Sequence, residues 1–252
     1  MQTFESPCRA RAIGRWRAII LVFAILCVGM SGQRASAQDD SFLAFVETYY
    51  RSPRPDAALQ WMERIAPTMM DDVLIAADPQ GQRFALVAGF YAHVLRSQPS
   101  LIGPLTERLI AVEQPSLTAL GALAIASTGL DVAASALERL RRTGALPNQT
   151  ASALAETPAY PYPIMRVTGS IDVELMWMSF FATGNPLYVR RVADAMGYAS
   201  HGDAGAAVAA FAYASLADRV TEHPTVRETL RTIAGERTDI VGQSAAELVG
   251  SG

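Results

Sequence analysis

Apolar side chains recur at three- and four-residue intervals along most of this 252-residue chain. Phe42, Phe45, Val46 and Tyr49 follow the i, i+3, i+4, i+7 spacing of one helix face. Leu59, Met62, Ile65 and Ala66 do the same, as do Phe84, Val87, Tyr91 and Val94. Leu137 with Leu140, and Trp177 with Phe180 and Phe181, continue the theme. Alternation at period two, the mark of a half-buried strand, is essentially absent. Alanine-rich stretches such as Ala204–Ala217 add intrinsic helix preference and let helices approach closely. The pattern predicts a nearly all-α chain of nine or ten helices.

Between apolar stretches lie short breaker sequences. In FFATGNPLYVRRV, residues 180–192, Gly184 suits the left-handed end of one helix, Asn185 the cap of the next, and Pro186 its first turn. So tight a joint makes its two helices antiparallel neighbours. The design recurs. Phe45 is followed by Arg51-Ser52, a proline turn and Glu63-Arg64-Ile65; Phe90 is followed by Arg96-Ser97, a proline turn and Glu107-Arg108-Leu109. Gly121–Leu140 breaks at Gly129 and closes on Glu138-Arg139-Leu140, and Phe211–Leu230 breaks at His223-Pro224. The 45-residue offset from Phe45 to Phe90 lies within the range of helical-hairpin repeats, and later spacing is irregular. The expected architecture is therefore antiparallel helical hairpins packed as a short, degenerate α-solenoid-like array over residues 38–235.

Two segments break the rhythm. Residues 142–170 carry prolines at 147, 158, 161 and 163 and read as a long loop, with Tyr160, Tyr162 and Met165 able to fold back along a groove or to meet a ligand. Residues 236–252 are small and polar and read as a weakly structured tail, with room for a short helix around 245–249.

The N-terminus has a different character. Arg9, Arg11, Arg15 and Arg17 precede the apolar run Ala18–Met30 and the small-residue site Ala35-Ser36-Ala37, the order of a secretory signal peptide over residues 1–37. Its 13 apolar residues fall short of the roughly 18–20 that span a bilayer. An uncleaved anchor is the alternative, and the bulky Leu26 before Cys27 argues against a lipoprotein. The chain is expected to be exported and periplasmic, or anchored in the inner membrane facing the periplasm. Cleavage would remove both cysteines, Cys8 and Cys27, leaving 215 residues without disulfide or thiol chemistry.

Charge narrows the partners. All 21 basic residues are Arg; five of them and one of the 24 acids precede residue 38, leaving 16 against 23, a formal −7. An acidic chain without a basic stripe argues against nucleic acid and against an anionic membrane surface. Candidate chemistry is thin. His93 lies in a helix pattern and reads as a core or half-buried histidine, while His201 and His223 sit in turns. None has a partner at metal-ligand spacing, so no metal and no cofactor is expected. No G-x-S-x-G elbow is present, and a P-loop is ruled out by the absence of Lys. Asp71-Asp72 reads as a helix start. Asp172 and Glu174 open the helix carrying Trp177, where acids complement the helix dipole; the rival reading is a glycosidase-type carboxylate pair.

The joined hairpins, with Phe…Arg-Ser…Pro…Glu-Arg-(Ile/Leu), resemble tetratricopeptide and related α/α superhelical repeats over about residues 40–235. The spacing departs from 34 residues, and the Trp-x-x-Leu-Gly-x-x-Tyr signature is missing. The chain is also similar to small exported bacterial helical proteins that carry an FFATG-(N/D) segment. The resemblance implies fold and location and carries over no catalytic residue. Such arrays present a concave face to a protein or peptide. The expected function is thus a non-enzymatic interaction or assembly module of the periplasm or envelope, contacting another envelope protein or a peptide through Tyr160, Tyr162, Arg166, Arg190 and Arg191. The alternative is an all-α envelope hydrolase using carboxylates such as Asp172 or Glu174. A membrane-tethered accessory subunit is the third reading, if residues 1–37 are retained.

Overall fold

Proline and glycine punctuate the chain where helices begin and end. Pro55, Pro115, Pro186 and Pro224 each occupy a first-turn position, where the missing N–H costs nothing. The computed structural model describes residues 37–70, 81–156 and 167–250. Among them are twelve α-helices and no strand. They are α1 (Ala37–Thr48), α2 (Pro55–Ile65), α3 (Gln82–Ser97), α4 (Ile102–Ala111), α5 (Pro115–Ala126), α6 (Asp131–Arg142), α7 (Asn148–Ala155), α8 (Ser170–Thr183), α9 (Pro186–Ala195), α10 (Gly202–Val220), α11 (Pro224–Glu236) and α12 (Ile240–Gly250). Ala44–Gly252 make one unit, and the segment up to Leu43 belongs to another. The all-α class expected from the patterning is the one observed.

The α8–α9 joint has the geometry its residues demand. Gly184 sits at φ +67°, and its N–H closes the helix onto the Phe180 carbonyl. The Asn185 side chain accepts from the Leu187 N–H at 3.0 Å, capping α9, and Pro186 follows. Tyr50 lies against the joint: a Cβ added to Gly184 would stand 3.2 Å from its ring.

The Glu-Arg-(Ile/Leu) motif is a register device. Glu63 of α2 takes a two-pronged ion pair from Arg108 of α4, at 2.8 and 3.1 Å. Glu107 of α4 takes the next from Arg139 of α6, at 2.5 and 2.9 Å. Each glutamate thus pairs with the arginine of the following copy, while Ile65, Leu109 and Leu140 are buried beneath. Both ends of the ladder are closed. Arg64, in the first copy, lies 5.3 Å from the Trp61 ring centre, and Glu138, in the last, pairs with Arg141 and Arg142 of its own helix.

Departures from a nearest-neighbour stack lie in the centre. α8 packs on α3, although the four helices α4–α7 lie between them in sequence. Both are apolar nearly all round, which suits elements buried on several sides. Phe90, Tyr91, Trp177, Phe180 and Phe181 form the aromatic core, each no more than 2% exposed. A one-dimensional solenoid needs contacts only between successive repeats; here elements distant in sequence close on one another.

Two segment boundaries differ from expectation, and the added helices take the count past nine or ten. Residues 142–170 contain α7, with Ala151 buried, and the remainder at 157–166 lies outside the described residues. Residues 236–252 contain α12, which packs on α11 and buries Val241, Ala245 and Leu248 at positions i, i+4 and i+7. Small residues make this segment look weak in sequence, yet Gly242 is what allows it to start directly against the Arg237 backbone. The Asp239 carboxylate caps that start, accepting from the Gly242 N–H.

Candidate functional site

α9 and α11 run side by side in the same direction. Their first residues, Pro186 and Pro224, border one open cleft of about 430 Å³. Their far ends are joined by Arg237, which donates to Asp194 at 2.6 Å, and by Arg190, whose guanidinium meets Glu236 at 2.5 Å. The lining between is polar: Arg190, Thr225, Glu228, Thr229 and Thr232. Thr229 and Thr232 donate their hydroxyl protons to the backbone carbonyls of Thr225 and Glu228, one turn back on α11. Each hydroxyl oxygen keeps acceptor capacity, Thr232 being exposed and Thr229 buried at the cleft wall. A second cleft, of about 490 Å³, lies between α6 and α7 over Ala133, Leu137 and Ala151. Its rim is closed by Arg141, which engages Glu138 and Asn148.

A charged cluster forms where the end of α1, the start of α8 and the end of α10 meet. Arg219 lies over the faces of Trp177 and Phe181, at 4.7 and 5.7 Å from the ring centres, and donates to the Ser215 carbonyl. Its Nε is buried with no hydrogen-bond partner among the described residues. Trp177 is itself anchored by its indole N–H on the Ser215 hydroxyl at 3.0 Å. Glu174 and Glu47 share the field of Arg219. Burial raises the pKa of each above the usual carboxylate value. Arg219 pulls both down, Glu47 pushes Glu174 up further, and Glu222 does the same to Glu47.

Beside this cluster, His223 is 2% exposed and caps no helix with its side chain. Its ring packs on Phe181, Tyr50 and Phe180 at 5.5, 5.9 and 6.1 Å. Arg51 donates to His223 Nδ1 at 3.2 Å and to the Glu222 carbonyl at 2.6 Å, and the Tyr50 hydroxyl meets Nδ1 at 3.1 Å. A guanidinium only donates, so Nδ1 is the acceptor and the neutral ring carries its proton on Nε2. Burial, with Arg51 and Arg219 nearby, lowers the His223 pKa to about 4.

The residues singled out by sequence separate accordingly. Tyr160, Tyr162 and Arg166 lie outside the described residues, as does the pair Asp71-Asp72. Arg190 lines the α9–α11 cleft, whereas Arg191 approaches Asp194 of its own helix at 3.7 Å. Asp172 is a capping residue, its Oδ2 accepting from the Thr168 and Gly169 N–H groups at 2.6 and 3.0 Å. The carboxylate that bears on Glu174 is Glu47, which raises its pKa. His93 is a core histidine, 4% exposed, its pKa lowered to about 3 by burial and by Arg96. Among the described residues no three His, Cys, Asp or Glu side chains gather to hold a metal. Glu47 and Arg219 escape a sequence reading because each sits at an ordinary polar position of an amphipathic helix. Only the packing of α10, and of the Tyr49–Arg51 turn that follows α1, on α8 brings them together.

No protein family, no curated protein and no solved structure matches the chain.

Proposed function

We propose that the protein is a non-enzymatic interaction or assembly module of the bacterial envelope that holds an extended segment of another envelope protein in the α9–α11 cleft. The observation that carries this reading is the pairing of two parallel helices around an open polar cleft lined by Arg190, Thr225, Glu228, Thr229 and Thr232, the hydroxyl oxygens of Thr229 and Thr232 keeping acceptor capacity. Helical-repeat arrays take their partners on extended concave surfaces, and this cleft is the comparable hollow here. Arg190 belongs to this cleft. The signal-peptide pattern of residues 1–37 supports export and work in the periplasm, with an anchored form as the alternative. Among the described residues no helix is long and apolar enough to cross a membrane.

Photo-crosslinking from position 232, in cells, tests the reading. One specific envelope protein should be captured from position 232 and not from position 142, on the helix that carries the ion-pair ladder, and Thr229→Val should reduce the capture. Equal capture from both positions, or none above an exported control, overturns it.

Glu47 and Glu174 favour a second reading, an all-α envelope hydrolase. Two carboxyl groups with raised pKa values beside an arginine and a tryptophan are the ingredients of acid–base work. Glu174→Gln and Glu47→Gln would each abolish turnover of a glycan or peptide substrate while leaving the thermal melt intact. Under the interaction reading both variants retain partner capture.

A further inference from the structure

We propose that Tyr50, Arg51 and His223 form an acid-opened latch, which holds the turn after α1 against the α10–α11 joint and, when released, uncovers the Phe180–Phe181 face. This goes beyond the interaction reading and does not depend on it.

The latch centres on one acceptor that can be protonated, beside a tie from Arg51 to the Glu222 carbonyl that does not titrate. His223 Nδ1 receives both the Arg51 guanidinium and the Tyr50 hydroxyl, and Arg51 Nε donates in turn to the Tyr50 oxygen at 3.2 Å. Adding a proton at Nδ1 replaces that acceptor with a donor and sets a cation against the Arg51 cation. The Arg51 bond to Nδ1 is then lost and the Tyr50 hydroxyl must turn from donor to acceptor, so the turn is left with the Arg51 bond to the Glu222 carbonyl. What lies underneath is apolar: the Tyr50 ring is 4.8 Å from that of Phe180, and it also covers Gly184.

The surroundings reinforce the effect. The charges around the imidazole are Arg51 from the Tyr49–Arg51 turn after α1, Arg219 from the end of α10 and Glu222 from the joint that follows it. α8 contributes the rings of Phe180 and Phe181, and Arg227 of α11 is turned to the Val220 carbonyl. On acidification Glu47 and Glu174, the carboxylates in the field of Arg219, take up protons more readily than ordinary glutamates. Arg219 and Arg51 then face the imidazolium with less counter-charge. The sign follows from His223. Its folded-state pKa of about 4 lies below the ordinary 6.5, so the closed latch is fully favoured above pH 6.5 and loses ground as pH falls towards 4. One proton gives an open fraction rising about tenfold per pH unit across that window.

Hydrogen exchange with mass spectrometry, corrected for the intrinsic pH dependence of exchange, reads the opening directly. Between about pH 6.5 and 4.5, peptides covering residues 44–52 should lose protection by roughly two orders of magnitude. Those covering α3 should hold theirs. Binding of bis-ANS should rise over the same range. His223→Gln keeps an acceptor oxygen and cannot charge, so protection at 44–52 should become flat with pH. Loss of protection only together with α3, or an unchanged pH profile in His223→Gln, overturns the latch. Should His223→Gln fail to fold, Arg51→Gln serves, because Arg51 is exposed. Removing the opposing cation should shrink the ratio of opening at pH 4.5 to that at pH 7, and an unchanged ratio counts against the proposal.

Discussion

Glutamate and arginine are used in two opposite ways in this molecule. Along α2, α4 and α6 they pair across the surface, each group well solvated, with side chains 38–54% exposed in the Glu63–Arg108 and Glu107–Arg139 bridges. Around Arg219 they are drawn inward, where the guanidinium lies flat on Trp177 and both carboxylates resist ionisation. Screening makes the first arrangement weak bond by bond, and its worth lies in register. Desolvation makes the second expensive to keep charged and sensitive to each neighbour. The contrast teaches that the ladder aligns copies of a hairpin, whereas the inner cluster ties together parts of the chain that are not copies.

Removing pieces of the inner cluster should therefore have the largest consequences. Trp177 is fully buried and hydrogen-bonded, so Trp177→Ala should cost about 3–5 kcal/mol in chemical denaturation. Arg219→Ala loses the stacking on Trp177 and Phe181 and a cation facing Glu47 and Glu174, at a cost of about 2–3 kcal/mol. Adding Glu174→Gln to Arg219→Ala should restore part of that loss. Strict additivity of the two changes would mean that the charges do not face one another.

Acid should act next most strongly, and unevenly. His93 and His223 have folded pKa values of about 3 and about 4, both below the ordinary 6.5. Their contribution to stability is complete above pH 6.5 and is lost as pH falls towards those values, by about 2 kcal/mol for each histidine at pH 5. Glu47 and Glu174 work in the other direction: with folded pKa values raised, their unfavourable charging disappears on acidification. His93→Leu should halve the loss of stability between pH 7 and 5 without altering exchange at residues 44–52, separating the core histidine from the latch. A stability profile that is flat from pH 7 to 5 would contradict both histidine assignments.

How far the sequence carries depends on whether a signal is local. The α8–α9 joint is readable residue by residue, since glycine, asparagine and proline each act through their own backbone and immediate neighbours. The Glu-Arg-(Ile/Leu) motif is visible as a repeat, yet its meaning is not, because Glu63 pairs with an arginine 45 positions away in the next copy. α12 is hidden by its composition: Gly242 and Ala245 score as weak and turn out to be the small residues that permit close packing. The inner cluster is unreadable for a deeper reason. Glu47, Glu174 and Arg219 belong to three helices whose mutual docking is set by apolar faces, and no spacing along the chain encodes it.

The ladder offers the smallest effect and the sharpest test of the repeat. Exposed pairs are worth about 0.2–1 kcal/mol, with two-pronged arginine pairs towards the upper end. A double-mutant cycle with Glu63→Ala and Arg108→Ala should give a coupling in that range, falling as salt rises from low to physiological because both groups are solvated. The same cycle on Glu107 and Arg139 should give a coupling in the same range but smaller, because Glu107 is 53% exposed against 38% for Glu63 and Arg139 meets it through its two Nη atoms rather than through Nε and Nη2. Glu138 with Arg141, by contrast, lies within one helix and outside the ladder, so its coupling should remain when α4 is perturbed. A swap, Glu107→Arg with Arg139→Glu, separates register from generic charge. The exchanged pair can still meet across α4 and α6, but it sets a second arginine beside Arg108 and a second glutamate beside Glu138. Recovery of only part of the wild-type coupling is the expected result, and full recovery would mean that the order of the motif carries no information.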